Sequence, residues 1–94
     1  STEQEFIRGD CNIDNSVDIG DVISLLGFLF LGDPIGSCAD AYDINDDGAL
    51  DIGDAIFLLG HLFINGSPPP VPFPGCGPDL TPDTLDCISY PFCP

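Results

Sequence analysis

The sequence predicts a small, mainly α domain: two loop-helix hands followed by an extended, proline-rich tail pinned by disulfides. The chain repeats itself, since residues 8–32 shifted by thirty-three fall on residues 41–65 with thirteen of twenty-five positions identical. Each copy runs an acidic loop into a Leu-, Ile- and Phe-rich stretch of helical length. From Ser67 onward the composition changes, with nine of the ten prolines and three of the five cysteines in that segment. A period near 33 also occurs in helical solenoids, but those stack three or more copies of helix pairs. Here each copy holds one plausible helix, and the 94 residues make a single domain, 1–94, of repeat one (8–32), repeat two (41–66) and tail (67–94).

The formal charge is −15, with Arg8 the single cation among Lys and Arg. Nucleic-acid surfaces need clustered Lys and Arg, so no nucleic acid is expected as partner. Anionic membrane surfaces are disfavoured for the same reason. The longest nearly apolar runs, Val22–Leu31 and Ala55–Ile64, are too short to span a bilayer, so no membrane insertion is expected. Disorder is not implied either, because 44% of the residues are hydrophobic. Nine of the sixteen acids lie inside two twelve-residue windows, where they repel one another unless a cation neutralises them.

Taken in order, repeat one opens with the loop Asp10–Asp21. A calcium loop of twelve residues supplies oxygen from positions 1, 3, 5, 7, 9 and 12. Those positions are Asp10, Asn12, Asp14, Ser16, Asp18 and Asp21. Repeat two supplies Asp43, Asn45, Asp47, Ala49, Asp51 and Asp54. Ser16 and Ala49 serve through a backbone carbonyl, and Asp18 and Asp51 through water. Position 6 needs a positive φ, which Gly48 takes freely and Asn15 tolerates. Val17 and Leu50, at position 8, point toward the core. The competing explanation, a pair of helix caps built on Asx turns, does not require so many acidic or amide side chains. Two calcium ions per chain are expected.

The helices begin near Asp18 and Asp51, whose carboxylates suit a helix N-terminus. They stop near Gly32 and Asn65-Gly66, with Pro34 and Pro68 just beyond. No long entering helix is expected before either loop: Gly9 precedes the first, and Gly32, Pro34 and Gly36 interrupt the approach to the second. Both helices are apolar nearly all round, which requires cover on every side. Either the partner helix and the tail supply it, or another protein does. The tail reads as extended and wrapped over the helices. Cys11, Cys38, Cys76, Cys87 and Cys93 include no Cys-x-x-Cys pair suited to zinc, and favour disulfides and an oxidising compartment. Five is odd, so at least one thiol is free or pairs with another chain; two bridges can be drawn in fifteen ways.

Two calcium hands without entering helices, with Asp at position 12 and a D-x-N-x-D pattern running into D-I-G-D, resemble the dockerin modules of secreted bacterial proteins. The resemblance covers residues 8–66. It implies a cohesin-like partner domain, met at loop positions 10 and 11 and the adjoining helix face, here Ile19, Gly20, Ile23, Ile52, Gly53 and Ile56. Ile-Gly stands where many cellulosomal dockerins have Ser-Thr, implying a more apolar contact.

The resulting expectation is a secreted or cell-surface calcium-binding module that mediates protein–protein assembly. The alternative is a self-assembling subunit of an extracellular filament or surface layer that binds copies of itself. The odd cysteine and a module filling the whole chain favour the alternative. No enzyme is expected, because no nucleophile or acid–base pair stands apart from the loop ligands. His61, on an apolar helix, reads as a packed or interface residue. Arg8-Gly9-Asp10 spells an adhesion tripeptide, but Asp10 is committed as a ligand. Asn65-Gly66-Ser67 is a glycosylation sequon that the following proline disfavours, and Thr81 and Thr84 are weak candidates for O-linked sugar.

Overall fold

A computed structural model describes residues 4–80 and 85–93; Thr81 and Thr84 lie outside them. Helices α1 (Ile19–Phe30) and α3 (Ile52–Phe63) are twelve residues each, with the single turn α2 (Ala39–Tyr42) between them. The long helices start where the loops end, because each N-terminus is closed by a reciprocal cap. Gly20 N–H donates to Asp18 Oδ1 at 3.0 Å while Asp18 N–H donates to Asp21 Oδ2 at 2.7 Å. In repeat two, Gly53 donates to Asp51 at 3.0 Å and Asp51 to Asp54 at 3.1 Å. Two otherwise orphaned amides are satisfied at each end, and a negative charge sits at each positive helix pole. The C-termini close on the Gly27 and Gly60 carbonyls, which accept from Leu31 and Asp33, and from Ile64 and Gly66. The residue that turns the chain there has positive φ in both copies, Gly32 in the first and Asn65 in the second. A side chain on Gly66 would bring its Cβ within 2.9 Å of the Gly60 carbonyl carbon, so this close approach needs glycine.

Helices α1 and α3 pack on one another. Their inner faces supply Val22, Leu25, Ala55 and Leu58 to a core that also buries Cys11, Tyr42 and Ile44. Phe28 meets Tyr42 edge to face at 5.7 Å, tying α1 to α2. No long helix enters the second loop; the single turn α2 precedes it, too short to read from a four-residue pattern.

The tail corrects one expectation. It does not blanket α1 and α3; it builds a separate cluster with the N-terminal segment and α2, burying Phe6, Ile7, Cys38, Ala41, Tyr90 and Cys93. Phe6 and Gly77 exchange two backbone hydrogen bonds at 3.0 and 3.1 Å. Two disulfides, Cys38–Cys87 and Cys76–Cys93, fasten the tail. The remaining thiol, Cys11, is buried in the helix core. Contact with α3 includes Phe73, whose ring meets His61 edge to face at 5.4 Å, so His61 is packed as its position suggests. The outer helix faces therefore remain open, and equally in the two halves: Ile23 is 64% exposed and Ile56 61%, Phe30 66% and Phe63 65%.

Arg8, the one cation of the acidic chain, is fully buried. Its guanidinium donates to the Asp43 carbonyl at 2.8 Å and to Asp79 at 3.1 Å, lies 3.6 Å from Asp46, and stacks on Phe6. N-terminal segment, second loop and tail meet on this side chain. An adhesion tripeptide whose arginine is inaccessible has nothing to present, which supports reading Arg8-Gly9-Asp10 as coincidence.

Candidate metal centres

Each loop gathers three carboxylates. Asp10, Asp14 and Asp21 place one oxygen each within 4.8 Å of one another, and so do Asp43, Asp47 and Asp54. These are positions 1, 5 and 12 of the two loops. Two of each three are buried, and the position-5 aspartate opens to solvent. The loops turn through the expected residues: Asn15 has φ 69° and Gly48 φ 82°. Position 4 is also left-handed, at Ile13 (φ 55°) and Asp46 (φ 59°), which the sequence did not signal.

Backbone amides hold the carboxylates from behind. Asp10 Oδ1 accepts from Asp14 N–H at 3.2 Å and Oδ2 from Asn15 N–H at 3.0 Å. Asp43 Oδ1 accepts from Asp47 at 3.2 Å and Oδ2 from Gly48 at 2.9 Å. Asp21 and Asp54 each accept at Oδ1 from the position-3 amide, both at 3.2 Å, and at Oδ2 from the cap amide. A carboxylate offers about four lone pairs, so each retains acceptor capacity for an ion. The position-12 aspartates thus tie each loop to its helix.

Asp18 and Asp51 stand outside the three-carboxylate groups and spend an oxygen on the helix caps. Asn45 Oδ1 accepts from Asp47 N–H at 3.3 Å, while Ser16 and Ala49 donate their amides to Asp14 and Asp47, both at 3.0 Å, leaving their carbonyls for other partners.

The electrostatics are those of a site short of positive charge. The Asp21 carboxyl is pushed up to about 7, first by burial and then by the charges of Asp10 and Asp14. Burial, with Asp54 beside it, raises Asp43. Burial, with Asp47 and Asp51 nearby, raises Asp54. Crowded, desolvated carboxylates take up either a proton or a cation. The Cys11 thiol is raised well above its ordinary value by burial and by Asp21, Asp10 and Asp54, so it feels carboxylates of both loops.

No family model, curated protein or solved structure matches this chain. What the two groups could do therefore rests on their own chemistry, and both could hold a metal ion. The residues expected to meet a partner, Ile19, Ile23, Ile52 and Ile56, are exposed at the starts of α1 and α3, with Gly20 and Gly53 half-buried between them.

One contact was not legible from sequence. Tyr90, eighty residues away in the tail, donates its hydroxyl to Asp10 Oδ2. Burial and this hydrogen bond raise the phenol well above its ordinary value. Its position midway between Cys87 and Cys93 hinted that it is anchored, not where.

Proposed function

We propose that the chain is an extracellular calcium-binding module with dockerin-like loop-helix hands that mediates protein–protein assembly. The observation that carries this reading is the pair of three-carboxylate groups at the same loop positions, each held by the same set of backbone amides. The donor set is oxygen throughout, which suits a hard cation such as calcium. Zinc prefers Cys and His, and neither belongs to these groups. Asn12 and Asn45, the carbonyls of Ser16 and Ala49, and Asp18 and Asp51 through water would complete six or more ligands around each ion.

Two closed disulfides fit an oxidising compartment, and among the described residues no helix is long and apolar enough to cross a membrane. The assembly surface would be the open isoleucine faces beside the loops, offered to a cohesin-like domain. Isothermal titration should find two calcium ions per chain. Fewer than two would overturn the reading.

The second reading, self-assembly, draws on one observation: the two open faces are near duplicates, so one copy offers two equivalent contacts. It loses the support of the odd cysteine, because Cys11 is buried. Size-exclusion chromatography in calcium separates the two, a monomer supporting docking and a polymer self-assembly.

A further inference from the structure

Compare the first aspartate of the two loops. In both, one oxygen accepts the amide four residues on and the other the amide five residues on. The equivalence ends at Oδ2 of Asp10, which accepts the Tyr90 hydroxyl as well. A carboxylate oxygen has about two lone pairs. Oδ2 of Asp10 is therefore full, and Oδ1, with one amide, is the oxygen that keeps acceptor capacity. Among the described residues Asp43 accepts no such third donor, and both its oxygens keep capacity.

Tyr90 is itself held. It is 2% exposed, and the disulfide-bonded Cys87 and Cys93 lie three residues to either side of it. Ser37 grips the same stretch, accepting from Ile88 N–H at 2.8 Å and donating its hydroxyl to the Ser89 carbonyl at 2.8 Å. The ring packs edge to face on Phe92 at 5.9 Å.

We propose that Tyr90 is a positioning residue for the first ion site: held by the disulfide-bonded tail, its hydroxyl fixes the Asp10 carboxylate so that Oδ1 meets the ion. This rests on the ion-binding reading given above. The two position-1 carboxylates then differ in kind, Asp10 held by the tail as well as by its loop and Asp43 by amides of its own loop. By reciprocity, an ion in loop 1 stabilises the docked tail by as much as the docked tail stabilises the ion.

The test is a calcium titration of ¹⁵N-labelled protein followed at the amides of Asn15 and Gly48, which report loops 1 and 2 separately. In Tyr90→Phe, which removes the hydroxyl alone, loop 1 should weaken by about ten- to a hundredfold, the usual effect of losing an outer-shell partner, with loop 2 unchanged. Loop 1 affinity within about twofold of wild type would overturn the inference alone, since both loops would still titrate. Equal weakening of both loops would also overturn it, showing general support of the fold. Wild-type protein in which neither loop titrates overturns the ion-binding reading together with this one. Should the variant fail to fold, the Tyr90 ring signals of unmodified protein decide: they should move with Asn15 and not with Gly48, and ring signals indifferent to the filling of loop 1 would overturn the inference.

Discussion

The position-12 aspartates each hold two amides of the loop and belong to the carboxylate group, so they serve helix and site together. Asp21→Ala and Asp54→Ala should each leave one bound calcium by isothermal titration, and the lost cap contact should lower stability by about 1 kcal/mol. Asn15 carries positive φ, where its partner in repeat two is glycine. Asn15→Gly relieves a left-handed side chain worth about 1 kcal/mol, so loop 1 should bind calcium more tightly, by roughly fivefold if folding and binding are coupled. Weaker binding would show the turn to be misread. The raised carboxyls set a pH dependence. In the ion-free protein Asp21 releases its proton near 7 rather than at the ordinary 3.8. A raised folded-state value means the ion-free fold is favoured below 3.8 and loses that advantage as pH rises through about 7. Calcium competes with the same proton, so its affinity should fall as pH drops from 8 to 5.5, while the ion-free protein melts higher at 5.5 than at 8. Affinity flat across that window would contradict the assignment.

At the scale of elements, the two loops and both long helices were legible because each signal is local and occurs twice. Asp18 and Asp51 cap where a carboxylate suits a helix start, and the helices end beside Gly32 and Asn65-Gly66. The single turn α2 was not legible, because Ala39–Tyr42 is too short to display a period. The course of the tail was not legible either: prolines remove the periodic pattern, and its partners Phe6, Ile7 and Ala41 are chosen by packing across most of the chain. The pairing of Cys38 with Cys87 follows from that packing and had no local mark. Each long helix presents an open apolar strip, and full cover of Ile19 or Ile52 contributes roughly 1.5–3 kcal/mol. Replacing both with Asp should leave calcium titration intact and abolish association, measured by light scattering or pull-down on the same sample. Association that survives in the folded double variant would move the contact elsewhere, toward the tail around Phe73 and Tyr90.

The whole molecule combines two clusters with different fastenings. The helix core depends on two loops crowded with negative charge, and the tail cluster on two disulfides. Ligand bound only to the native state stabilises it by ~4 kcal/mol at a thousandfold excess over the dissociation constant, a large share of what a domain this small holds. Chelation under reducing conditions should therefore abolish much of the helical circular dichroism, and calcium should restore it; an unchanged spectrum would separate folding from the ions. The unpaired thiol makes the same transition visible as a rate. Cys11 lies shut in the core between α1 and α3. A thiol-reactive dye can reach it only when that core opens around it, so with fast reclosure the labelling rate scales with the population of that opening. A calcium series of such rates would yield the opening free energy of the core around Cys11 in protein at equilibrium, without denaturant.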